Sequence, residues 1–140
     1  MRIYIDGVWD LTHRGHVEIL KKAKEYKKDA TLLVGVISDK DATDYKREPI
    51  YNEEDRYILI QSIKYVDEVI FNAPLIITPD FVNRHNIDLI LHAFSDTTDI
   101  IKQTEFTEKV SFMFEVIPYY KHTSTSSIIE KIKNNFLQSK

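Results

Sequence analysis

Arg2-Ile3-Tyr4-Ile5-Asp6-Gly7-Val8-Trp9-Asp10-Leu11-Thr12-His13-Arg14-Gly15-His16 carries a short apolar strand into a loop and the loop into a helix, and that succession decides the fold. Residues 2–6 alternate and are rich in β-forming types, the pattern of a strand. From His16 to about Lys28 the apolar residues Val17, Ile19, Leu20, Ala23 and Tyr26 recur at helical spacing. The lysines between them form a solvated face. Thr31 to Ile37 is then a continuous apolar run, which suits a strand buried on both faces of a parallel sheet. Strand, helix and strand within so few residues make one βαβ unit. Two of the chain's three glycines, Gly7 and Gly15, lie in the opening stretch, with histidines on either side of the second.

Working outward, Ser38-Asp39 falls at the carboxyl edge of the sheet, where open α/β folds bind ligands. Residues 39–52 read as a long polar irregular loop carrying Lys46-Arg47 and Pro49. Asn52 caps a helix whose first turn is acidic. A strand is expected from Val66 to Phe71, and a helix from Thr78-Pro79-Asp80 to about His85, with proline at its first position. Another strand is expected over Ile87–His92. Residues 98–109 show only weak helical periodicity. A last strand over Phe112–Ile117 and a closing helix over Ile128–Lys133 complete the pattern. Alternating strands and helices predict a single α/β domain over residues 1–140, with a Rossmann-like doubly wound sheet of about five parallel strands and flanking helices.

Composition agrees with one domain. A chain of 140 residues with 43% hydrophobic content is long enough to bury a substantial core. A net charge of −3 gives no sign of a nucleic-acid-coating protein. The absence of cysteine excludes disulfides, thiolate metal sites and cysteine nucleophiles. No signal peptide and no apolar run of the roughly 20 residues that span a bilayer is present, so a cytoplasmic location is expected.

A helix starting near Gly15 leaves N–H groups and the positive end of its dipole facing the loop, and imidazoles there can donate hydrogen bonds to an anion. The alternative is one surface and one core histidine. A metal site is less well supported, because no third ligand lies nearby. Lys46 and Arg56, taken alone, read as solvated surface charge. Thr123-Ser124-Thr125-Ser126-Ser127 reads equally as an ordinary N-cap run.

The segment Asp6 to His16 closely resembles the DG-hydrophobic-aromatic-DLxHxGH signature of the cytidylyltransferases, within the HxGH nucleotidyltransferase superfamily. Val34-Gly35-Val36-Ile37-Ser38-Asp39, Glu54-Asp55-Arg56-Tyr57 and Lys64-Tyr65-Val66-Asp67-Glu68-Val69-Ile70 resemble further segments of that family. Asn72-Ala73-Pro74 and Thr78-Pro79-Asp80-Phe81 are similar to stretches of the eukaryotic cholinephosphate and ethanolaminephosphate enzymes.

The resemblance implies transfer of CMP from CTP to a phosphoalcohol, releasing pyrophosphate, with magnesium as counter-charge to the triphosphate. Phosphocholine or phosphoethanolamine is the implied acceptor, with glycerol 3-phosphate as the runner-up; a weakened nucleotide-binding module is the non-catalytic alternative. His13, His16 and Lys46 would be catalytic. Gly7, Val8, Trp9, Asp10, Gly15, Arg56, Ser124, Thr125 and Ser126 would bind the nucleotide. Asp6, His92 and Tyr119 would bind the acceptor, and no residue is expected to ligate metal. The chain departs from the family's Arg-Thr-x-Gly-Ile-Ser-Thr segment at Tyr119, Tyr120 and His122. It also carries Arg47 for a glycine, Leu75 for a tryptophan and Ala93-Phe94 for two acids. A homodimer, with Lys64–Ile70 near its interface, is a further implication. No nucleic-acid partner and no membrane-binding segment within residues 1–140 are expected.

Overall fold

Five strands and six helices follow one another along the chain in a computed structural model that describes residues 1–137. They are β1 (Arg2–Gly7), α1 (Arg14–Lys24), β2 (Thr31–Ile37), α2 (Asp39–Tyr45), α3 (Glu53–Gln61), β3 (Glu68–Ala73), α4 (Pro79–Arg84), β4 (Leu89–His92), α5 (Thr97–Phe106), β5 (Phe114–Val116) and α6 (Thr125–Ile132). A 3-10 run over Glu108–Met113 leads into β5, and a wider helical turn over Lys133–Leu137 follows α6. The strands form one parallel sheet in the order β3-β2-β1-β4-β5. The chain winds outward from β1 through β2 to β3, then crosses back to β4 and β5. This is the doubly wound arrangement anticipated from the sequence.

Pleat alternation divides the core between two faces. Ile3, Ile5, Leu32, Val34, Val36, Leu89 and Leu91 pack with Ile19, Leu20 and Ala23 of α1 and Ile60 of α3. Tyr4, Leu33 and Ile90 point the other way, onto Ile77, Phe81, Val82 and Val110. Gly35 is required by this second face. A Cβ there would overlap the Tyr4 hydroxyl and lie 2.8 Å from the Ala73 Cβ.

Several boundaries differ from the sequence reading. The loop expected over 39–52 begins as helix α2. Ser38 is its N-cap, accepting from the Asp41 N–H at 3.1 Å, and Asp39 and Asp41 suit its first turn. Its only buried residue is Ala42, so apolar periodicity could not reveal it. β3 begins later and extends to Ala73, past a register shift opposite Val36/Ile37, where Asn72 takes a φ of 57°. β4 begins at Leu89, two residues later than expected, where Ile87 still bonds back to Val82 of α4, and β5 begins only at Phe114 because residues 108–113 coil as a 3-10 turn. Helix α6 starts at Thr125, ahead of the expected Ile128. Among the described residues no helix is long and apolar enough to cross a membrane.

β1 and β4 pair only at Ile3↔Leu89 and Tyr4↔Ile90, whereas β1 stays paired with β2 as far as Gly7↔Val36. The carboxyl ends of β1 and β4 therefore part at the point where strand order reverses. That is the crevice in which doubly wound folds bind ligands.

Candidate active site

The crevice is a cavity of about 570 Å³ lined from β1, the β1–α1 loop, the end of α2, β4, α5 and the start of α6. This volume is typical of a small-molecule site.

At one end stands the start of α1. His13 is the N-cap, and its Nδ1 accepts from the Gly15 N–H at 2.9 Å. The His13 N–H in turn donates to the Nδ1 of His16 at 3.1 Å. The two imidazoles thus form a reciprocal capping box, the role that Ser/Thr and Glu usually play. Because both Nδ1 atoms accept, the proton of each neutral ring sits on Nε2, which is left as a donor. The rings lie 4.0 Å apart between centroids, and both line the cavity. Burial lowers the pKa of His13. Burial, then His13 and Lys46, push His16 down to about 3. At neutral pH the pair is therefore two uncharged N–H donors. Gly15 is dictated by crowding: a Cβ would lie 2.6 Å from His13 Cε1 and 2.8 Å from the Thr123 carbonyl oxygen.

Asp10 binds this loop to the next. It is 5% exposed, and its carboxylate accepts the N–H groups of Ile50 at 2.7 Å, Tyr51 at 2.9 Å and Leu11 at 3.1 Å. Its carbonyl accepts from the Thr125 hydroxyl at 2.8 Å. One residue thereby fixes the β1–α1 loop, the segment after Lys46 and the start of α6. The cap of α1 is thus His13, and Asp10 positions the loops around it. Trp9, with a φ of 59°, turns its indole into the core and donates to the Gly35 carbonyl at 2.9 Å. A Cβ on Gly7 would lie 2.9 Å from that indole.

Arg56 is not among the residues lining the cavity. It is fully buried and donates to the carbonyls of Tyr51 at 3.0 Å, Val8 at 2.8 Å and Ile37 at 2.7 Å, and to Asp39 at 2.7 Å. Four of its five N–H donors are thus engaged in tying three segments together. Lys46, by contrast, caps the end of α2 and lines the cavity beside the histidines.

Ser124 caps α6 in a second reciprocal box with Ser127, both bonds at 3.0 Å. The N–H groups of Thr125 and Ser126 precede any intrahelical partner. With the hydroxyls of Ser124 and Thr125 engaged, Thr123 and Ser126 supply further ones on the cavity wall.

The opposite end is acidic and aromatic. His92, at the end of β4, meets Asp99 Oδ2 at 3.2 Å, and the Ser95 N–H donates to the same oxygen at 3.0 Å. Burial alone would raise Asp99, but these bonds and the imidazole outweigh it and hold its carboxyl below the usual range. Asp6 is pushed up to about 6, chiefly by burial, against the opposing effect of His92. Burial, then Asp6 and Asp99, raise the Tyr45 hydroxyl well above the ordinary phenol value. Burial, then Asp99 and Asp96, raise Tyr119. The fold therefore brings Asp6, His92 and Tyr119 together, as the sequence reading required. It adds Asp99, Tyr45 and Arg47 to the wall, none of which that reading had singled out as binding residues. Asp99 was detectable: it stands three residues after Asp96, whose side chain accepts from its N–H at 2.8 Å, an N-cap spacing that marks the start of α5. Among the described residues no group of three or more His, Cys, Asp or Glu could hold a metal ion.

A match to the cytidylyltransferase-like family spans residues 4–131. The chain is 36% identical to human choline-phosphate cytidylyltransferase A, over 97% of this chain and 37% of that protein. It is 34% identical to an Arabidopsis thaliana ethanolamine-phosphate cytidylyltransferase, over 95% of this chain and 32% of that protein. It thus spans about a third of the length of these relatives. A lipopolysaccharide core biosynthesis protein from Thermoplasma volcanium has a similar structure, with a TM-score of 0.68 and 25% identity over 88% of this chain and 98% of the other.

Proposed function

Because the chain belongs to the cytidylyltransferase-like family, we propose that it transfers CMP from CTP to a small phosphoalcohol. An oxygen of the acceptor's phosphate monoester attacks the α-phosphorus of CTP. The bond from that phosphorus to the β-phosphate's bridging oxygen breaks, and pyrophosphate leaves with the electron pair. Positioning and charge neutralisation are the protein's main contributions to such a step.

The observation that carries this reading is the reciprocal histidine box. Backbone N–H groups occupy both Nδ1 atoms, so His13 and His16 hold fixed Nε2–H donors toward the cavity without needing a charge. They would hold triphosphate oxygens and stabilise charge developing at the α-phosphorus. Lys46 would bridge the phosphates of the two substrates. The first turn of α6 would add the N–H groups of Thr125 and Ser126, and both helices the favourable ends of their dipoles. Gly7, Val8 and Trp9 would shape the nucleotide side, while Asp10 holds the loops in register. Magnesium would arrive on the triphosphate as its counter-charge, as part of the nucleotide substrate.

A cationic phosphoalcohol, phosphocholine or phosphoethanolamine, is supported over glycerol 3-phosphate by the far end of the cavity. Asp6, Asp96 and Asp99 stand there with Tyr45, Phe94 and Tyr119. Carboxylates and aromatic faces suit an ammonium group, and a neutral glycerol has no use for them. Homodimerisation is supported by the exposed Ile58, Leu59 and Phe71 beside edge strand β3; sedimentation that gave a monomer at micromolar concentration would remove it. The activity is tested by incubating the protein with CTP, magnesium and a panel of phosphomonoesters. Pyrophosphate release with a cationic acceptor is expected. Folded protein that releases none with any acceptor would overturn the reading.

A further inference from the structure

We infer that Arg47 is a triphosphate-binding residue, a guanidinium clamp on the phosphates distal to the reacting one; this rests on the site's being one for CTP. Among the described residues it is the one arginine that lines the cavity. Arg2 is paired with Glu68 at 2.6 Å, and Arg56 is buried and engaged. Arg14 is largely exposed, near Glu18 and the face of Tyr120. Arg84, at the end of α4, is not part of the lining.

The local geometry holds Arg47 without consuming it. Its nearest carboxylate is Asp10, at 3.7 Å. That is well beyond a charge-assisted hydrogen bond, and each Asp10 oxygen already accepts a backbone N–H. The fork is therefore oriented electrostatically while its donors stay available for an anion. The need for it is equally visible. His13 and His16 are neutral, so only Lys46, Arg47 and Lys121 bring permanent positive charge to the wall. Of these only Arg47 has the planar fork that binds phosphate oxygens in pairs. Tyr119 cannot serve, since it lies among Asp96 and Asp99 at the acidic end. Arg47 follows Lys46 directly, so the two cations come from one short segment that Asp10 ties to the histidine loop.

The test is calorimetric titration of wild type, Arg47→Ala and Arg47→Lys with CTP, CMP and inorganic tripolyphosphate. Loss of a bidentate charged contact should weaken CTP and tripolyphosphate by about tenfold or more in Arg47→Ala while leaving CMP within about twofold. Arg47→Lys should fall between the two, and the salt dependence of CTP binding should become shallower in Arg47→Ala. A purely structural role would weaken CMP and CTP alike, and that result, or unchanged CTP and tripolyphosphate affinity, would overturn the inference. Wild type that binds tripolyphosphate but not CTP would refute the cytidine reading while leaving Arg47 to be judged on tripolyphosphate. Binding of neither would overturn both.

Discussion

Replacing Arg56 with alanine separates a buried tie from a nucleotide ligand. The side chain is fully buried and serves three backbone carbonyls from the β1–α1 loop, the end of β2 and the turn before α3, together with Asp39. Truncation strands those acceptors and leaves a side-chain-sized hole. Each stranded carbonyl costs about 1–3 kcal/mol, less where water can reach it. Only the bond to Ile37 is fully buried; those to Tyr51 and Val8 are partly so. A loss of about 3–5 kcal/mol is therefore expected, in the range for breaking a buried charged network. In urea this lowers the midpoint by about 1–3 M, given typical slopes for domains of this size. Arg56→Lys should recover only part of it, since an ammonium cannot reach three diverging carbonyls with the geometry of the fork. The assay is equilibrium unfolding followed by far-UV circular dichroism, with CTP affinity measured on whatever fraction stays folded. Unchanged stability together with lost CTP affinity would refute the reasoning and place Arg56 at the triphosphate.

His13→Ala and His16→Ala should each lose more than about tenfold in turnover, because a preorganised donor is worth a few kcal/mol in the transition state; near-wild-type rates in either would contradict the assigned role. His13→Asn should keep the helix cap and about 1 kcal/mol of stability that alanine loses, yet be as slow as alanine. For Asp6 the sign is set by burial, which pushes the folded-state carboxyl up to about 6 from its ordinary 3.8: the folded protein holds its proton more tightly, so stability falls as pH rises through that window. Asp6→Asn should therefore be more stable at pH 7, by up to about 2–3 kcal/mol, with the gain vanishing below the lower value. In wild type the KM for a cationic acceptor should fall as pH rises past about 6, and a flat profile would remove Asp6 from acceptor binding. Gly15→Ala, which drives a Cβ into the His13 ring and the Thr123 carbonyl, should cost about 1–3 kcal/mol and most of the activity; a fully active variant would show that the crowding relaxes freely.

The architecture was legible because parallel strands buried on both faces write themselves as apolar runs. Thr31–Ile37 was bounded correctly from the sequence for that reason. Helix α2 was not, since it hangs on the Ser38 cap and one buried alanine. Two signature histidines drew attention to a phosphate site; they stand at capping-box spacing, but that two imidazoles fill the box is seen only in the backbone geometry. Arg56 is the clearest limit. A charged residue in a polar stretch reads as surface or ligand, and only the fold shows three carbonyls converging on it. Asp10 is similar, because its partners Ile50 and Tyr51 lie on another loop altogether. The acidic end could be assembled only once β4 and α5 were placed beside β1. Asp6, Asp99 and Tyr45 come from three separate elements and share no motif.

The central claim, attack of an acceptor phosphate on the α-phosphorus of CTP, is tested most directly by following a heavy-oxygen label. The protein would be incubated with CTP, magnesium and phosphocholine or phosphoethanolamine whose phosphate oxygens carry the label. Phosphorus NMR and mass spectrometry would then locate it. Label retained in a CDP-alcohol, including its bridging oxygen, with unlabelled pyrophosphate, is the expected result. Label in pyrophosphate, or CMP formed with no CDP-alcohol, would contradict it.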